Sequence, residues 1–138
     1  MKTSDFIKQI ENGNAKVLTV EAARNLKGKK IIYAYFGYNP AQVEEMVVGN
    51  IVTEYDFYKT QPCPGYDSRT AYWESYMPEE KLQDTKETLL LLDENGAYDP
   101  HYIKAHLGKY NFYNEPTFTC SDADREVYYI ECDEDENN

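Results

Sequence analysis

Two histidines, three cysteines and twenty-five carboxylates are the residues of this chain with obvious chemistry to offer. His101 and His106 lie five positions apart. Two rings that share a metal on a helix are usually four apart, and a spacing of five turns them about 140° from each other. No shared metal is expected. The pattern predicts one exposed histidine and one that packs or caps near a helix end. Cys63 stands between Pro62 and Pro64. Those prolines have no N–H to offer an oxyanion, and Asp67 carries the wrong charge to favour a thiolate nucleophile. Asp122-x-Asp124-x-Glu126 copies part of a calcium loop but lacks its glycine and its distal glutamate, so a polar hairpin turn is expected. No carboxylate pair stands out for glycoside hydrolysis. Neither G-x-x-x-x-G-K-[ST] nor G-x-G-x-x-G occurs, and Lys27-Gly28-Lys29-Lys30 reads as an exposed helix end. The expectation is no enzyme, no metal and no cofactor.

What the chain does carry is aromatic material: 14 Tyr, 5 Phe and 1 Trp. The tyrosines are interleaved with acids, as in Tyr55-Asp56-Phe57-Tyr58, Tyr66-Asp67 and Tyr72-Trp73-Glu74-Ser75-Tyr76. Tyrosine offers rigid contact area with one polar handle and is enriched where binding energy concentrates. Tyr66, Tyr72, Glu74 and Tyr76 are the candidate binding residues. They follow or belong to a Pro/Gly-rich loop and a short segment that will not bury every ring. Read as a strand, residues 71–77 place Tyr72, Glu74 and Tyr76 on one face and Trp73 on the other. An unpaired glutamate belongs in water, so the tyrosine face is predicted wet and Trp73 is predicted to enter the core.

The elements that must position these residues follow from local pattern. Residues 4–12 read as a helix with Ser4 or Thr3 as cap, and residues 20–26 as a second with Thr19 as cap and Gly28 as stop. Residues 31–36 read as a central strand, β-branched and aromatic on both faces. Residues 47–58 alternate as a half-buried strand, with Gly49 marking a bulge. Residues 89–92 form a solid apolar run ended by a turn at Asp93-Glu94-Asn95-Gly96. Asp99-Pro100 is read as the start of a short helix ending at Gly108. Strands at 117–120 and 126–132 close the domain, and the acidic tail 133–138 is expected to fray. This order lacks βαβ alternation, so the expected fold is α+β, with short N-terminal helices packed on a strongly bent antiparallel sheet or a small, possibly SH3-like, β-barrel.

A chain of 138 residues fits one domain, placed at residues 1–132. No stretch approaches the ~18 apolar residues of a membrane span, and no apolar leader begins the chain, which favours the cytoplasm. Three widely spaced cysteines with no C-x-x-C are expected to be reduced. The net charge of −11 is uneven: residues 1–30 carry +4 and residues 31–138 carry −15. Nucleic acid and anionic membranes should repel such a chain, leaving another protein as the expected partner. The leading function is a non-enzymatic protein-interaction domain. The alternative is an acidic surface that imitates nucleic-acid phosphates and occupies a basic cleft. A small hydrolase or ligand-binding barrel comes last.

Overall fold

The computed structural model describes residues 1–35, 42–99, 101–120 and 125–132. Helices α1 (Thr3–Glu11) and α2 (Val20–Asn25) flank the short strand β1 (Lys16–Val17), and β2 (Lys30–Tyr35) and β3 (Gln42–Thr53) follow. Three helices come next: α3 (Glu54–Lys59), α4 (Arg69–Tyr76) and α5 (Glu79–Lys86). Strands β4 (Thr88–Asp93), β5 (Ile103–His106), β6 (Thr119–Cys120) and β7 (Tyr128–Glu131) complete the chain. The seven strands form one antiparallel sheet in the order β1-β7-β2-β3-β4-β5-β6.

The long strand β3 bends this sheet. Its first half pairs with β2 and its second half with β4, and the register shifts between Val48 and Ile51. Gly49 sits at the shift, where an added Cβ would lie 2.0 Å from the carbonyl oxygen of Asp93. Only glycine lets the two backbones approach so closely, which is the bulge that its place in an alternating strand predicts. The curl brings the ends of the sheet near each other. Thr19 bridges Thr117, Phe118 N–H donates to the Leu18 carbonyl at 2.9 Å, and Val127 N–H donates to the Phe118 carbonyl at 3.0 Å. These are isolated contacts. No ladder joins β6 to β1, so the sheet stays open and the barrel alternative, SH3-like or otherwise, is not formed.

Curling gives the sheet an inner face and two covered outer faces. Leu18, Leu26, Ile31, Tyr33, Leu91, Ile103, Phe118 and Val127 meet in the inner core, with α2 packed into it. Phe6 of α1 packs outside on Ala34, Ile32 and Ile130. Leu90, Leu92 and Tyr98 form the other outer cluster with Phe57 of α3. This explains the unbroken apolar run of β4: Leu89 and Leu91 face inward, Leu90 and Leu92 face outward, and all four are buried. A fully buried leucine contributes about 1.5–3 kcal/mol, so the alternation seen in a half-solvated strand is absent here.

Thr19 caps α2 as read, accepting from Ala22 N–H at 3.1 Å, and Gly28 takes the positive φ of 85° that a chain reversal requires. Four local expectations are corrected. Lys2, not Ser4 or Thr3, stands at the N-cap of α1, with no capping bond from its side chain. The strand read over 47–58 ends at Thr53, whose hydroxyl caps α3 by accepting from Asp56 N–H at 3.1 Å. The strand read over 71–77 is instead part of helix α4, which ends at Tyr76 with Met77 as its C-cap. The helix read from Asp99 to Gly108 is instead β5, and Tyr102 ahead of it, with φ of 51°, interrupts any helical run. The Asp122/Asp124 turn and the acidic tail lie outside the described residues.

Candidate functional site

Helix α4 follows a loop that two backbone features tighten. Tyr66 N–H donates to the Cys63 carbonyl at 3.0 Å, and Gly65 turns with a φ of 81°. Ser68 then caps the helix, accepting from Ala71 N–H at 3.1 Å. Once the segment is helical, Tyr72 and Tyr76 stand one turn apart on one face, because residues i and i+4 are neighbours. Their ring centroids are 4.9 Å apart. Tyr66 reaches over from the loop, edge-on to Tyr72 at 5.2 Å and to Tyr76 at 6.2 Å. Its hydroxyl donates to the Tyr76 hydroxyl at 2.8 Å, which holds the Tyr66 proton and pushes its pKa up to about 12. Tyr72 stays 42% exposed and Tyr76 68%. The wet tyrosine face expected from sequence is therefore present, produced by helical rather than strand periodicity.

Glu74 does not share that face, contrary to the strand reading. Two residues along a helix turn a side chain about 200° away. Glu74 accepts from the Tyr55 hydroxyl at 2.5 Å, which raises the Tyr55 pKa and ties α4 to α3. Trp73 is half-buried and outside the three core clusters, a correction to its predicted core position. Its ring meets Tyr58 edge-on at 4.9 Å, and the Arg69 guanidinium lies over the other ring of that pair at 5.6 Å. Of the four candidate residues, the structure gathers Tyr66, Tyr72 and Tyr76 and turns Glu74 away.

A second polar constellation escaped sequence reading. The Tyr33 hydroxyl donates to Glu44 at 3.0 Å and lies 2.6 Å from His101 Nδ1, while His101 Nε2 lies 3.5 Å from Asp93. Burial, then the Glu44 charge, pushes the Tyr33 pKa well above its usual value. Backbone N–H groups of Ala97 and Asn95, together with His101, hold Asp93 below the usual carboxylate range. The four residues come from β2, β3, β4 and the chain ahead of β5, so no local pattern announces them. Tyr33 is fully buried, which makes this group a cross-link between two hairpins rather than a site open to substrate. His101 thus packs, edge-on to the Tyr33 ring at 5.8 Å, as expected of one of the two histidines, whereas His106 is half-buried and not the exposed one expected. His106 stands apart from His101, 3.3 Å from the Thr88 hydroxyl.

Among the described residues, no three His, Cys, Asp or Glu side chains are placed to hold a metal ion, and no helix is long and apolar enough to cross a membrane. Neither family models, nor curated proteins, nor solved structures yield a match to this chain.

Proposed function

We propose that this chain is a non-enzymatic, cytoplasmic protein-interaction domain that docks a partner protein through the tyrosine face of α4. The observation that supports this is the mutual contact of Tyr66, Tyr72 and Tyr76 on a helix whose one buried residue is Thr70. The three cores are filled by other side chains, so the rings are not needed to hold the fold. Pre-packed tyrosines lose little conformational freedom on binding and supply large contact area, the properties of interface anchors. The acidic-decoy alternative has less support. Glu45, Glu80 and Glu131 each pair with one of the chain's own lysines, the dispersed pattern of a solubilising surface. A hydrolase or ligand-binding role is supported less still, since the polar group richest in titratable residues centres on a fully buried phenol.

The test is a paired capture from the source cell with the wild-type chain and the Tyr72→Ala/Tyr76→Ala double variant as baits. A specific partner retained by wild type and lost by the variant, with equal melting temperatures, is the expected outcome. Identical partner sets from both baits would remove the α4 face from consideration.

A further inference from the structure

The chemistry of the α4 face narrows what a partner must present, taking the docking reading above as given. Three tyrosine rings of this chain hold a cation of its own among the described residues. Arg69 lies over Tyr58 at 5.6 Å, Lys86 over Tyr55 at 5.0 Å and Lys109 over Tyr110 at 5.1 Å, all within the ~6 Å reach of a cation–π contact. Among the described residues Tyr66, Tyr72 and Tyr76 hold none, although the three rings are in mutual contact and Tyr72 and Tyr76 are exposed. Their planes cross at 85°, 72° and 47°, so the three ring faces point in different directions.

The surroundings are negative. Asp67 is exposed next to Tyr66, and Glu79, which opens α5 just past Tyr76, is exposed as well, while Glu80 beside it is paired with Lys109. Residues 54–87, which include α3, α4 and α5, contain eight acids and four bases. Two of those bases, Arg69 and Lys86, already lie over other rings, and Lys81 stands beside Glu80. Electron-rich ring faces set in a negative field attract a cation from outside the chain. A planar guanidinium suits them better than an ammonium, because it is weakly hydrated and stacks on aromatic faces.

We infer that the Tyr66/Tyr72/Tyr76 cluster receives an arginine side chain carried on a basic segment of the partner protein. The guanidinium lies against the Tyr72 and Tyr76 rings, and neighbouring basic residues of that segment meet Asp67 and Glu79.

The probe is a short unstructured peptide with three arginines, compared with its lysine and citrulline counterparts. Binding to the full chain is followed by NMR of the tyrosine ring resonances and by calorimetry. The expected result is saturable binding of the arginine peptide, with ring shifts concentrated at Tyr66, Tyr72 and Tyr76. Affinity should fall about tenfold, or about 1.4 kcal/mol, with the citrulline peptide and with the Tyr72→Ala/Tyr76→Ala variant, which keeps every carboxylate. The lysine peptide should fall between. Absence of saturable binding, or equal affinity of the double variant, would overturn the inference, the latter by showing attraction to bulk acidity alone. Should the captured partner depend on Tyr72 and Tyr76 while the arginine peptide fails, the docking reading stands and the cationic anchor falls.

Discussion

Replacing Gly49 with alanine, beside the same change at Gly108, asks whether the sheet is bent by backbone contact. An added Cβ at Gly49 would meet Asp93 O at 2.0 Å, Asp93 C at 2.5 Å and Leu92 O at 2.9 Å. All three are backbone atoms of β4 and cannot rotate away. Carbon and oxygen settle at about 3.3–3.6 Å, so the strands must part by roughly 1 Å. The nearby Val48↔Asp93 pairing and the Glu94 N–H to Val47 carbonyl bond of 3.0 Å would be strained or lost. Two backbone hydrogen bonds at about 0.5–1.5 kcal/mol each, with some loosening around buried Val48, give a cost of about 2–4 kcal/mol. That is a large part of the ~5–15 kcal/mol that holds such a domain. At Gly108 the added Cβ would meet Glu87 Oε2 at 2.1 Å, the tip of a half-buried side chain that can swing aside. Gly108→Ala should stay within about 1 kcal/mol of wild type. Equilibrium urea denaturation of both variants measures the contrast. A neutral Gly49→Ala, or equal costs at the two sites, would refute the argument.

Tyr33→Phe should cost about 1–3 kcal/mol in the same assay, because Glu44 and His101 lose their shared partner; a neutral result would mean the hydroxyl ties nothing together. Asp93 is held below its ordinary value, so its contribution to stability is present above pH ~3.9 and is lost as pH falls through the lowered value. Melting temperature against pH should therefore drop less steeply below about pH 4 for Asp93→Asn than for wild type. Trp73→Ala should cost about 1–3 kcal/mol, less than a core tryptophan, because the ring is half-buried against Tyr58. Tyr72→Ala and Tyr76→Ala should each stay within about 0.5 kcal/mol, which denaturation curves of the three variants will order.

Elements fixed by short-range signals were legible in the sequence. Thr19 and Gly28 bracket α2, and the apolar run of β4 and the aromatic, β-branched β2 declare burial on both faces. Errors fell where local preference and tertiary context disagree. Residues 54–59 and 71–76 are rich in aromatics, which favour strands, yet capping by Thr53 and Ser68, packing of α3 against β4 and packing of α4 against α3 turn them into α3 and α4. The four-residue spacing of Tyr72 and Tyr76, with Ser68 ahead, was the available helix signal. Around β5, Asp99-Pro100 gave a start signal for a helix that pairing with β4 overrides. Helix α5, built from good helix formers, has too little apolar periodicity to stand out, and the two-residue β1 exists only through its pairing with β7. The tyrosine cluster was legible because its members are close in sequence. The Tyr33 network was not, because strand pairing assembles it from residues up to 68 positions apart.

The helices α3, α4 and α5 form a detour between two strands that are already paired neighbours. Two residues can join such a pair; here residues 54–87 do so. Phe57 pins the detour to the sheet, and Thr70 fastens α4 through its bond to the Tyr55 carbonyl at 3.2 Å. The exposed rings of Tyr72 and Tyr76 lie beyond those two anchors. On the docking reading proposed above, selection for recognition and selection for foldability act on different residues. The same reading would let the α4 face exchange one set of side chains for another, and so change partners along a lineage, while Gly49, Leu91 and Phe118 keep the same sheet beneath it.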